Sequence, residues 1–136
     1  MRFSKGSMEI EYSNRQKEEV RMYVTNIKKT RELKTPSGKS VWWLLPKEIG
    51  TPNFEMRYFE VRKGVEGKEE KHPFEHEVFV VRGEGVIKSE GKEIKVRPGD
   101  AVFIAPDEPH QFFNFKEEPF GFICIIPNGC EDHLKG

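Results

Sequence analysis

The sequence predicts an all-β domain, a jelly roll or small barrel, on three observations. Short apolar or alternating segments recur at spacings of roughly 8–12 residues, Gly or Pro separates them, and no long amphipathic helical pattern occurs in the 136 residues. Closely spaced hairpins favour an antiparallel jelly roll over a parallel design.

Taken in order, residues 1–21 are polar without apolar periodicity and are expected to form a loose arm. That leaves a barrel domain over 22–127 and a C-terminal tail over 128–136. MYVTNI (22–27) reads as a first strand, broken by Pro36 and Gly38. SVWWLL (40–45) follows, ended by Pro46. EMRYFEVRKG alternates and stops at Gly64. A charged loop leads into HEVFVVRGEG, a strand closed by Gly83 and Gly85. GVIKSEGKEIKV is a hairpin turning at Ser89, Glu90 and Gly91. AVFIAP, DEPHQFFNF and PFGFICIIP are the remaining strands. HEVFVVRG, AVFIA, SVWWLLP and FICIIP are apolar on both faces, so each needs cover on both sides. A second subunit supplies that cover in an expected homodimer; the N-terminal arm is the other candidate.

Composition excludes several classes. The formal net charge is zero and the sequence pI about 6.9, which argues against nucleic-acid or anionic-membrane partners. No apolar run approaches a membrane span and the N-terminus lacks a signal-peptide core, so the cytoplasm is the expected location. Charged residues make up 34% of the chain, against about 25% on average, and Gln is confined to Gln16 and Gln111. Both a thermophilic source and an ordinary, heavily solvated surface give that pattern. Cys124 and Cys130 are too few for a disulfide framework and too awkwardly spaced for a zinc knuckle.

Chemistry concentrates in the histidines. His72 and His76 flank PFE, and His110 lies on a distant segment; His133, in the terminal CEDHLKG, reads as solvent-exposed. Imidazoles converging from separate segments are how a barrel supplies the donors that a transition metal needs. If His76 starts its strand facing inward, Val78 and Val80 face inward with it, while Glu77, Phe79 and Val81 face away. Glu70, two residues before His72, shares its direction in an extended stretch. The expected ligand set is therefore Glu70, His72, His76 and His110, a mixed N/O set suited to Mn, Fe, Ni or Zn. For the strand 56–62, the sequence leaves open whether Met56, Tyr58, Glu60 and Arg62 or Arg57, Phe59 and Val61 face the pocket. Phe112 and Phe122 are expected to make its wall largely apolar, and at most one of Trp42 and Trp43 lines it.

These residues resemble the cupin superfamily in its small single-domain form. Glu70, His72, His76 and Gly83 fall at the spacing of its first motif, and Pro98, Gly99, Pro106, His110 and Asn114 at that of its second. The resemblance spans about residues 64–127. It implies a double-stranded β-helix, a jelly-roll barrel with a metal at one open end. It also gives Gly83, Gly85 and Gly99 turn roles and Asp100 a bond to its own turn. Two positions depart: Glu70 stands where the family has its first histidine, and His76 where it has its usual glutamate. The first functional expectation is a metal-dependent, oxygenase-like enzyme acting on a small organic molecule. The alternatives are a sugar-type isomerase or epimerase and a non-enzymatic small-molecule binding or sensor module.

Overall fold

In a computed structural model the described residues are 22–65 and 67–136; the expected N-terminal arm lies outside them. Nine strands run β1 (Leu33–Lys34), β2 (Ser40–Leu45), β3 (Phe54–Val61), β4 (His76–Arg82), β5 (Gly85–Ser89), β6 (Lys92–Val96), β7 (Ala101–Ile104), β8 (Gln111–Phe113) and β9 (Phe120–Pro127). Three short 3-10 turns are the only helical pieces among the described residues. The strands form a six-stranded sheet, β1-β2-β3-β9-β4-β7, and a three-stranded sheet, β6-β5-β8, antiparallel throughout. This is the all-β jelly-roll architecture that the sequence predicts.

One expected strand does not form. At 22–26 the chain pairs with no strand among the described residues, and Asn26 accepts the N–H of Lys28 to cap a 3-10 turn at Ile27–Lys29. Met22 and Val24 are exposed, so the run has no buried face to hold it as a strand. The first strand is instead β1, and the Pro36–Gly38 break is its hairpin to β2, closed by Thr35 N–H donating to Lys39 O at 2.9 Å. The strand expected over 107–115 shrinks to Gln111–Phe113.

Period-two alternation orders the rest. On β4, His76, Val78 and Val80 are buried, whereas Glu77, Phe79 and Val81 are exposed. The β5–β6 hairpin turns on Glu90 and Gly91, both at positive φ (50° and 79°), the mark of a primed turn whose twist matches its strands. Gly83 has a φ of 66°, and its Cα lies so near the Pro119 carbonyl that a β-carbon would collide with it. Asp100 accepts the Arg97 N–H at 2.9 Å, closing the turn before β7.

The core lies between the sheets. Phe122, fully buried, is stacked between Phe59 and Phe112, with ring centroids 5.4 and 4.7 Å away. The outer face of the large sheet is different. Trp42, Tyr58, Ile123, Phe79 and Ala101 align in one cross-strand row, and Phe103 and Val81 flank it, 61% and 44% exposed.

Residues 128–136 fold back onto the barrel. Lys135 Nζ donates to Glu55 at 2.7 Å and lies 4.8 Å from the centroid of Trp43. Glu131 is buried, while His133 is exposed as the sequence suggests.

Replacing Phe122 with Ala removes the centre of the aromatic stack and should cost about 3–5 kcal/mol. A urea midpoint unchanged in that variant would refute this account of the core.

Candidate metal centre

Two elements and one loop bring the histidines together. His76 opens β4, paired with Ile104 of β7. Past β7 the chain turns at Asp107 (φ 63°), whose N–H donates to His72 O at 2.6 Å. His110 then forms an isolated bridge with Glu70, their backbone N–H···O contacts being 2.8 and 2.9 Å. That bridge ties the His72 loop to the strand that carries His110. The three rings stand 5.0, 5.2 and 5.3 Å apart by centroid.

Their free nitrogens converge. His110 Nδ1 lies 2.9 Å from the Glu108 carbonyl, which can only accept, so Nδ1 carries the proton and the Nε2 lone pair is free. His76 Nδ1 meets Cys124 Sγ at 3.4 Å, and its Nε2 is buried with no partner among the described residues. His72 Nε2 faces two carboxylates, Glu70 Oε1 at 3.2 Å and Glu131 Oε2 at 3.5 Å. One donor atom from each of His72, His76 and His110 falls within 4.8 Å of the others. Glu70 does not join that trio at the same range; it forms a second group with His72 and Glu131. Of the four ligands expected from the sequence, three cluster directly and the fourth adjoins them through His72.

Buried polar atoms without partners are rare and costly. A buried, unpartnered imidazole nitrogen beside a second one with a free lone pair fits a divalent cation.

Electrostatics favour neutral imidazoles here. Burial, then the neighbouring Arg57 charge, push His76 down from 6.5 to about 3. Burial also lowers His110, although its bond to the Glu108 carbonyl and the Glu70 charge oppose the shift. For Glu70 burial acts upward, but the His72 hydrogen bond and the charge and hydrogen bond of Lys39 outweigh it and hold the carboxyl well below the usual carboxylate range.

The cluster opens into a cavity of about 190 Å³. Phe59, Phe112 and Phe122 form its apolar wall, and Lys39 and Arg57 add two cations. The inward set on β3 is therefore Arg57 and Phe59; Tyr58 lies on the other face with its hydroxyl donating to Glu60 at 2.9 Å. Neither tryptophan lines the cavity. Sequence reasoning missed Lys39 and Glu131. Arg57 lies buried between the Trp43 and Phe59 rings, paired with Glu131 and donating to Cys124 Sγ at 3.3 Å.

Fold and cavity together define a single jelly-roll barrel that gathers three histidines, two of them buried, at one cavity. A family profile described as Cupin domain matches residues 57–126, and the chain belongs to that family. Among solved structures, the chain is similar to a cupin 2 domain-containing protein from Halorhodospira halophila, with 32% identity, TM-score 0.63, and coverage of 72% of this chain and 77% of that one. The polyketide cyclase RemF from Streptomyces resistomycificus shares the fold with TM-score 0.74 at 24% identity, covering 82% of this chain and 81% of that one. A curated relative, 1-methylthio-D-xylulose 5-phosphate methylsulfurylase from Rhodospirillum rubrum, is 35% identical over 72 residues, 53% of this chain. Those residues span 46% of that relative's length.

The depressed His76 value sets a pH dependence. Below 6.5 the unfolded chain takes up a proton that the folded imidazole refuses until about 3, so the His76 contribution to stability is complete above 6.5 and is lost as pH falls toward 3. Urea midpoints of metal-free protein should drop across that window, and His76→Gln should flatten the slope. An equal slope in both proteins would show that His76 is not its source.

Proposed function

We propose that this cupin is a metal-dependent enzyme acting on a small organic molecule, with one divalent Mn, Fe, Ni or Zn ion held by His72, His76 and His110 and by Glu70. The observation that carries the reading is the buried, partnerless Nε2 of His76 beside the free Nε2 of His110. Bound there, the ion would supply Lewis acidity or, as iron or manganese, redox chemistry. The protein's own groups prepare the site. Because Glu70 is ionised, the proton between it and His72 resides on His72 Nε2. Phe59, Phe112 and Phe122 line the site, and Glu108 fixes the His110 tautomer.

Oxygen-dependent oxidation is the leading activity. A second, isomerase-type reading takes only its sugar-like substrate class from the Rhodospirillum rubrum relative, which is named a methylsulfurylase of a methylthio-xylulose phosphate. Reduced thiols at Cys124 and Cys130 suit a cytoplasmic setting.

The test is elemental analysis of protein prepared without a His-tag and without added metal. About one ion per chain is expected. His72→Ala and His110→Ala should each abolish it, and Glu70→Ala should weaken binding less. Iron or manganese directs the assay to oxygen uptake, zinc to isomerisation. No metal, and none taken up on titration, would leave a metal-free binding module as the better account.

We further propose a homodimer formed through the outer face of the large sheet, on the support of exposed Phe79, Phe103 and Val81 beside Trp42. Light scattering should give twice the 15.9 kDa chain mass. A charge placed there, as in Phe103→Lys, should halve it; a monomeric parent protein would reject the proposal.

A further inference from the structure

Two cations are buried in the same cavity as the histidines, although aromatic rings form much of its wall. The Lys39 side chain is 8% exposed and that of Arg57 1%. Lys39 opens the strand side of the β1–β2 hairpin. Its Nζ donates to Ser37 Oγ at 3.1 Å and to Glu70 Oε2 at 3.2 Å. An ammonium carries three N–H groups, so one has no partner among the described residues. The same Nζ stands 5.5 Å from the Phe112 centroid and 5.7 Å from that of Phe59. Arg57 Nε–H is likewise buried and unpartnered, while its terminal nitrogens engage Glu131 and Cys124.

The charges add up informatively. Lys39 with Glu70, and Arg57 with Glu131, sum to zero. A divalent ion among neutral histidines then leaves a net double positive charge in a largely apolar cavity, and buried charge is costly unless balanced. A neutral ligand leaves that cost standing, whereas an anionic one removes it and satisfies the spare donor on Lys39. Size narrows the choice further. The cavity's 190 Å³ is below the roughly 300–1,000 Å³ of ordinary ligand pockets and holds about six waters at ~30 Å³ each. Nucleotides and sugar nucleotides are too large.

We propose that the cavity takes a small organic carboxylate, its carboxylate on Lys39 Nζ and its apolar body against Phe112 and Phe122. The inference deepens the enzyme reading and rests on it for the identity of the reacting site. The shape of the cavity supports it directly: one wall offers flat rings, and the cation lies over two of them. Lys39 falls before the family match at 57–126, so that match leaves it without a role.

The experiment is calorimetric titration of the full-length protein loaded with Co²⁺, using benzoate and pyruvate as probes and benzamide, benzyl alcohol and methyl phosphate as comparisons. Benzoate or pyruvate should bind at least about tenfold more tightly than the neutral compounds. Lys39→Met should lose about tenfold for the carboxylates, and Lys39→Arg should retain them. Equal binding of the neutral compounds, tighter binding of methyl phosphate, or unchanged carboxylate binding in Lys39→Met would each overturn the proposal. If Lys39→Met does not fold, the comparison of charged with neutral probes in the parent protein decides. If the parent protein takes up no Co²⁺, the metal reading fails on its own, and the same titrations on metal-free protein still decide whether Lys39 recognises carboxylates.

Discussion

The site depends on the double pairing of β9. This strand hydrogen-bonds to β3 on one edge and β4 on the other, so its register fixes theirs: Arg57 lies opposite Cys124, and Cys124 opposite Val78. Side chains alternate strictly along a strand, so this one register decides which of them enter the cavity. Arg57, Phe59, Phe122, Cys124 and His76 all face inward as a consequence. A slip of one residue in the β3–β9 pairing would turn the guanidinium outward, and one in the β4–β9 pairing would turn the His76 imidazole outward.

Around that frame the polar groups form a chain of dependence. Cys124 Sγ lies between His76 Nδ1 and the Arg57 guanidinium, at 3.4 and 3.3 Å. Arg57 is held by Glu131, whose other oxygen faces His72. His72 leads through Glu70 to Lys39. Each cation has a carboxylate and each carboxylate has a histidine, so these four side chains sum to zero charge while Lys39, Arg57 and Glu131 are buried and Glu70 half-buried. The cost of that burial is offset by the pairing, and the partnerless nitrogens remain as the place where a further positive charge enters.

Much of this was legible in the sequence because period-two patterns are short-range. Strand parity ties the direction of His76 to that of Val78 and Val80 and sets Glu77 opposite, although HEVFVVR reads as apolar on both faces, and Gly83 and Glu90-Gly91 mark turns by their backbone demands. Spacing brings His72, His76 and His110 into one set. What local pattern misses is pairing and docking. MYVTNI has the composition of a strand, yet Asn26 caps a turn and no edge among the described residues receives the segment. Nothing around position 57 tells whether Arg57 or Tyr58 faces inward, because both alternating sets mix polar and apolar residues. Glu131 gives no signal at all: its role exists only because Lys135, Trp43 and Glu55 dock the segment that carries it. Lys39 looks like an ordinary turn lysine until the hairpin places it over Phe112.

The Arg57–Glu131 pair joins residues 74 positions apart. During synthesis the guanidinium therefore emerges long before the carboxylate that neutralises it, and β3 cannot settle fully into the core while Arg57 is uncompensated. Hairpins such as β5–β6, whose partners are adjacent, assemble early, and the strands around the histidines consolidate only when the 131 region arrives. A nascent chain halted before that point holds a buried guanidinium without its carboxylate, so the last residues to be made are the ones that balance the charge inside the cavity.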